Sequence, residues 1–121
     1  MIADDDAGFR RVVRRLLEKE DGVALVGEAG DGEEAVRLNL QLRPEVVFMD
    51  IAMPKLDGLE ATRRIKASRP ETKVVVISIH NEEVYRKAAT ECGADDYVLK
   101  KRFVDGLRSA FGARRGRAGN R

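Results

Sequence analysis

Val46-Val47-Phe48-Met49-Asp50, running on through Ile51-Ala52-Met53-Pro54 to Asp57-Gly58, decides the fold of this chain. Four apolar residues in succession predict a strand buried on both faces. The run then stops at a carboxylate. A strand that is apolar throughout and ends in Asp delivers that group to the C-terminal rim of an open parallel sheet, where ligands and chemistry sit in such folds. A buried charge is costly unless it is paired or metal-bound, so Asp50 calls for a partner.

Outward from this stretch the chain alternates. Met1 to Ala3 predicts the stub of a first strand. Phe9, Val12, Val13, Leu16 and Leu17 recur at helical spacing, with Arg10, Arg11, Arg14 and Arg15 on the other side as a solvated face. Residues 23–29 predict a second strand between Gly22 and Gly30. Ala35, Leu38 and Leu42 mark a second helix closed by Pro44, with Asn39 on its inward stripe. After the strand at 46–50, Leu59, Thr62 and Ile65 mark a third helix ended by Pro70. Residues 74–79 predict a fourth strand. Val84, Tyr85, Ala88, Ala89 and Cys92 mark a fourth helix stopped by Gly93, and residues 97–99 a fifth strand. Phe103, Val104, Leu107 and Phe111 mark a last helix. Five strand–helix alternations imply right-handed crossovers and a doubly wound five-stranded parallel sheet with five helices, an α/β architecture. Residues 1–112 form one domain, and 113–121, rich in Arg and Gly, read as a mobile basic tail or the start of a linker.

Composition bounds the function. At 121 residues the chain is one domain with a core of its own. Twenty-three basic against 21 acidic residues leave a formal charge of +2, which speaks against a nucleic-acid or membrane partner for the whole. The single cysteine, Cys92, excludes an internal disulfide and fits a reducing cytoplasm; its expected role is packing. No apolar run approaches the ~18 residues of a membrane span, and the N-terminus has no signal-peptide pattern.

Parallel strands point their C-terminal ends to one edge. That edge receives Asp4 and Asp5 after the first strand, Asp50 after the third, Ser78 near the end of the fourth and Lys100 after the fifth. Three carboxylates against one ammonium leave two net negative charges in one cleft, which calls for a divalent cation. Mg²⁺ fits best, because it takes oxygen ligands, keeps waters and binds one or two carboxylates together with a phosphate oxygen.

The acid pair Asp4-Asp5, the Asp50-x-x-Met53-Pro54-x-x-Asp57-Gly58 loop, Ser78, Tyr97 and Lys100, in this order and spacing, resemble the receiver domain of two-component response regulators over almost the whole chain. The resemblance implies a flavodoxin-like fold and a phosphorylation-activated signalling switch. It implies that Asp50 is the phosphoacceptor for a sensor histidine kinase. It further implies that Asp4, Asp5, Asp50 and the backbone carbonyl of Ala52 hold Mg²⁺. Lys100 and Ser78 would bind the phosphoryl group, with Tyr97 following Ser78 inward. Such a domain acts only on its own phosphorylation state and is not otherwise an enzyme. The wording around Asp50 and Ser78-Ile79-His80 resembles the branch whose receivers precede a LuxR-type helix-turn-helix domain. Homodimerisation on phosphorylation is then a possible response, DNA is reached only through an effector domain absent from this chain, and the tail is either a linker to it or a frayed terminus.

The energetics suit a switch. The phosphoryl group adds roughly −1.5 to −2 charge at neutral pH. Two new charge-assisted hydrogen bonds at about 1.5–3 kcal/mol each cover much of the roughly 5.5 kcal/mol that carries an equilibrium from 1:99 to 99:1. Competing readings are weaker. An Asp-nucleophile phosphatase needs an acid two residues after the nucleophile, and Ala52 stands there. A nucleotide or flavin binder needs a glycine- or hydroxyl-rich phosphate loop, and Asp4-Asp5-Asp6 repels phosphate. A stand-alone receiver working through protein contacts stays open. Of the remaining residues, Asp6 is expected to cap the first helix and Asp57 the third, with Gly58 easing the turn and Pro54 shaping the loop. His80 reads as a loop residue. The short first strand, Lys101 where many receivers carry proline, and bulky Ile79 after Ser78 depart from the family pattern.

Overall fold

The computed structural model describes residues 1–119, with side chains as far as residue 109. Five strands, β1 (Ile2–Ala3), β2 (Glu28–Ala29), β3 (Val46–Asp50), β4 (Lys73–Ser78) and β5 (Asp96–Leu99), alternate with five helices. The helices are α1 (Ala7–Glu18), α2 (Gly32–Leu42), α3 (Gly58–Ser68), α4 (Glu83–Glu91) and α5 (Lys100–Gly119). The strands form one sheet in the order β2-β1-β3-β4-β5, and every pairing is parallel. Strand order reverses direction between β1 and β3, which opens a crevice above their C-terminal ends.

Alternation along the central strands builds two cores. Val47, Met49, Val74 and Val76 face one layer with Ala35, Ala61, Ile65 and Ala89 from α2, α3 and α4. Ile2 and Ile77 face the other, with Val13 and Leu17 of α1 and the partly buried Phe48, Phe103 and Leu107. Full burial of each such aliphatic side chain contributes about 1.5–3 kcal/mol, so the continuous apolar runs at 46–49 and 74–77 fix both layers at once.

Two helix starts, those of α1 and α3, follow the expected caps, and Asp31 adds one at α2. Asp6 accepts from the backbone N–H of Gly8 and Phe9, Asp31 from Glu34 and Asp57 from Glu60. Gly58 has a different cause from the one expected. Its φ is not in the left-handed region; a Cβ there would lie 1.8 Å from the Asp50 carbonyl oxygen. Glycine is required because α3 begins in contact with the end of β3.

Two expectations are corrected. The second strand was placed at 23–29, but only Glu28 and Ala29 pair. β1 offers Ile2 and Ala3 as ladder partners, so residues 23–26 have no neighbouring strand; Val23 and Val26 are about half exposed. They border an open groove of about 380 Å³ with Arg14, Leu17 and Leu25, at the opposite end of the strand from the acid pair. Residues 113–119 are helical as the end of α5, while 120–121 lie outside the described residues, as do the side chain of Phe111 and those of the tail arginines. The arginine run of α1 is not uniformly solvated. Arg10 and Arg14 both pair with Glu28, and Arg10 Nη1 donates to the Asp4 carbonyl at 2.6 Å.

Cys92 is buried as packing, its Sγ 3.6 Å from Arg63 Nη2. Asn39 is buried on α2 with no hydrogen-bond partner for either amide atom among the described residues, and nothing in the structure explains it. No helix among the described residues is long and apolar enough to cross a membrane.

Candidate functional site

The rim of the sheet gathers the residues that sequence places there. Register sets Asp50 beside Ile77 and Ser78 beside Leu99, so Asp50, Ser78 and Lys100 occupy successive steps along the C-terminal edge. β1 ends at Ala3, and the loop into α1 carries Asp4 and Asp5 to the same edge. Oxygens of Asp4, Asp5 and Asp50 all lie within 4.8 Å of one another. Asp4 and Asp50 are buried and Asp5 is exposed.

Lys100, the first residue of α5, reaches back between the buried pair. Its Nζ lies 2.7 Å from Asp4 Oδ2 and 3.5 Å from Asp50 Oδ1. The shorter approach pairs the ammonium with the fully buried oxygen of Asp4. Asp4 Oδ1 accepts from Asp6 N at 2.9 Å. Burial first, and then the negative charge of Asp4, push the Asp50 carboxyl up to about 6, against the opposing pull of Lys100. For Lys100, burial pulls the ammonium down, but contact with Asp4 and Asp50 outweighs it and leaves the pKa above its ordinary value. Lys100 therefore stays charged across physiological pH.

Ser78 is buried at the end of β4, and its Oγ accepts from His80 N at 3.0 Å. Tyr97 of β5 donates its hydroxyl to the His80 carbonyl at 2.7 Å, and its ring lies beneath Arg86 at 4.8 Å. His80 is a loop residue, as expected. Its ring stacks on Tyr85 at 4.4 Å, and Nδ1 lies 3.8 Å from Glu82. Ala52 sits in the exposed turn after β3. In that turn the Gly58 N–H donates to Ile51 O at 2.8 Å, and Lys55 takes a left-handed φ of 67° while its Nζ approaches Asp31 at 3.6 Å.

The carboxylate cluster fits a hard divalent cation: three carboxylates, two of them buried, bring oxygens within 4.8 Å of one another, and such an ion takes oxygen ligands. Sequence reasoning missed two contributors. Arg10, held by Glu28, grips the backbone of Asp4. Phe9 places its ring 4.6 Å from Lys100 Nζ. Phe9 lies on the apolar stripe read from the sequence, but that stripe does not say what its ring meets, and the inward turn of Arg10 follows only from the docking of α1 against the sheet.

Comparison with known proteins agrees with this geometry. The response regulator receiver domain family matches residues 1–111. Over 107 residues the chain is 42% identical to the transcriptional regulatory protein DegU of Brevibacillus brevis, covering 88% of this chain and 45% of that protein. It is 34% identical over 119 residues to the response regulator GacA of Pseudomonas aeruginosa, covering 95% and 56%. The crystal structure of a LuxR-family two-component response regulator from Aurantimonas sp. SI85-9A1 superposes with a TM-score of 0.83 at 35% identity, covering 93% of this chain and 81% of that one. The chain spans about half the length of these two curated relatives. A fold of order β2-β1-β3-β4-β5, an acidic crevice at its switch point and these likenesses lead to one conclusion: this chain belongs to the response regulator receiver domain family.

Proposed function

We propose that this chain is the phosphoryl-accepting switch of a two-component system, with Asp50 as acceptor. The observation that carries the proposal is the grouping of Asp50 with Asp4, Asp5 and Lys100 at the end of a buried strand. Asp4, Asp5, Asp50 and the Ala52 carbonyl are the residues that would hold Mg²⁺. Bound there, the ion supplies charge neutralisation for carboxylates and phosphoryl oxygens together.

Asp50 attacks the phosphorus of a kinase phosphohistidine. An Oδ–P bond forms as the P–N bond breaks, and the electron pair leaves with the imidazole. Lys100, already 3.5 Å from Asp50 Oδ1, pairs with the phosphoryl oxygens. Ser78 Oγ accepts from His80 N and so keeps its own O–H free to donate. A phosphoryl group that takes this O–H pulls on the same loop whose carbonyl is held by Tyr97. The β4–α4 loop is thus the element that two states of Asp50 bias differently.

The partner is a sensor histidine kinase in the cytoplasm. Output is control of transcription through an effector region outside this chain, as the name of the longer relative DegU suggests, with homodimerisation as the accompanying response. The domain turns over no substrate other than its own phosphoryl group. Incubation with acetyl phosphate and Mg²⁺, followed by intact mass measurement, tests the reading. One added phosphoryl in wild type and none in Asp50→Asn supports it; no gain in wild type ends it.

A further inference from the structure

We propose that Phe9 is a positioning residue for phosphoryl transfer, holding the Lys100 ammonium over the acidic crevice through the face of its ring. The inference rests on the phosphoacceptor reading of Asp50 and adds a residue to it. Phe9 lies in the first turn of α1, where Asp6 Oδ1 accepts from the Phe9 N–H at 3.2 Å and from Gly8 at 2.9 Å. The cap fixes its backbone. The side chain packs at the border of the core formed by Ile2, Val13, Leu17 and Ile77, and its ring centroid lies 4.6 Å from Lys100 Nζ. That is within the range of a cation–π contact.

The site gives the ring something to do beyond packing. Lys100 faces two carboxylates at unequal distances, 2.7 Å to Asp4 and 3.5 Å to Asp50. With those contacts alone, the ammonium is drawn to Asp4 and away from the acceptor. The attraction of an aromatic face has no single acceptor atom, so it tolerates rotation of the ammonium about its stem. Phe9 therefore restrains where Lys100 stands without dictating which oxygen it bonds. As Lys100 exchanges Asp4 for phosphoryl oxygens, this contact persists while the hydrogen bonds change.

The test compares initial rates of labelling by acetyl phosphate and Mg²⁺ in wild type, Phe9→Leu, Phe9→Tyr, Lys100→Met and the Phe9→Leu/Lys100→Met double variant. Phe9→Leu, which keeps apolar volume and loses the ring face, should label roughly 5-fold more slowly, as expected for a partly desolvated cation–π contact. Phe9→Tyr should restore the wild-type rate. In the Lys100→Met background Phe9→Leu should change nothing further, because the coupled partner is gone. A second readout needs no phosphorylation: ring-current displacement of the Lys100 ε-methylene proton resonances should vanish in Phe9→Leu and persist in Phe9→Tyr. Equal labelling of Phe9→Leu and wild type, or an equal loss in both Lys100 backgrounds, overturns the proposal and leaves Phe9 as packing. Absence of labelling in wild type overturns the acceptor reading along with it, so the two failures are distinguishable.

Discussion

Replacing Gly58 by alanine puts one methyl group into the backbone that carries Asp50. The added Cβ would stand 1.8 Å from the Asp50 carbonyl oxygen, 2.7 Å from its carbonyl carbon and 3.0 Å from Ile51 Cα. None of these atoms belongs to a side chain that can rotate away. Either α3 retreats or the end of β3 bends. Retreat strains the 2.8 Å hydrogen bond from Gly58 N–H to Ile51 O and the capping of Glu60 N–H by Asp57. Overpacking costs typically 1–3 kcal/mol, and rigid backbone contact places this case near about 3. Alanine's advantage over glycine in a helix returns at most about 1 kcal/mol. The net loss is about 2 kcal/mol. With a urea m-value of roughly 2 kcal/mol/M, the unfolding midpoint falls by about 1 M at unchanged m. Circular dichroism in urea measures it, and acetyl phosphate labelling of the same variant should slow because Asp50 is displaced. Gly106→Ala is the internal control. Gly106 lies within α5 with open space around it, so the same substitution there should stabilise by roughly 0.5–1 kcal/mol. A Gly58→Ala midpoint equal to wild type, or both variants shifting the same way, would refute the close-contact argument.

Other outcomes follow from the site. The folded-state pKa of Asp50, about 6, lies above the ordinary carboxylate value, so the fold favours its neutral form. That contribution is full below about pH 4 and lost as pH rises through about 6. Without Mg²⁺, Asp50→Asn should therefore melt above wild type near neutral pH, with the gap closing towards about pH 4; a pH-independent gap in paired melts counts against a buried charge. Mg²⁺ should raise the wild-type melting temperature, by the equivalent of about 1.4 kcal/mol at tenfold excess over Kd, and should do so far less in Asp5→Asn. Titration followed by thermal melts reads this, and an equal rise in both proteins would remove Asp5 from the ligand set. Ile79 is exposed beside Ser78, so Ile79→Ala should leave stability unchanged and shorten the acyl-phosphate half-life by opening access for water. Equal half-lives of the two phosphoproteins would defeat that idea. Tyr97→Phe removes the 2.7 Å bond to the His80 carbonyl and should cost about 1 kcal/mol in urea unfolding; an unchanged midpoint would show that the hydroxyl adds nothing to the loop.

Much of the molecule was legible because its strongest signals are local. Runs such as 46–49 and 74–77 have no polar residue to spare for solvent, so they could only be interior strands of a covered sheet. Asp6 and Asp57 stand directly before their helices and cap them as expected. Residues 23–29 misled because apolar composition describes only one side of a pairing. A strand also needs a neighbour, and β1 reaches only Ile2 and Ala3. The end of α5 at Gly119 carries no such signal, because a helix can continue through residues that have no apolar stripe. The glycine at 58 looked like turn chemistry, whereas its cause lies eight residues upstream in Asp50.

The sequence by itself determined the alternation of elements, the parallel sheet and the identity of the groups on its rim, since period and order along the chain suffice for these. Only the tertiary structure decided that Lys100 leans on Asp4 more closely than on Asp50, that Ser78 Oγ is engaged by the His80 N–H, that the ring of Phe9 meets Lys100, and that Arg10 turns in from α1 to grip Asp4. Those facts depend on distances between side chains far apart in the chain, set by how α1 and α5 dock on the sheet, and no local pattern encodes a docking geometry.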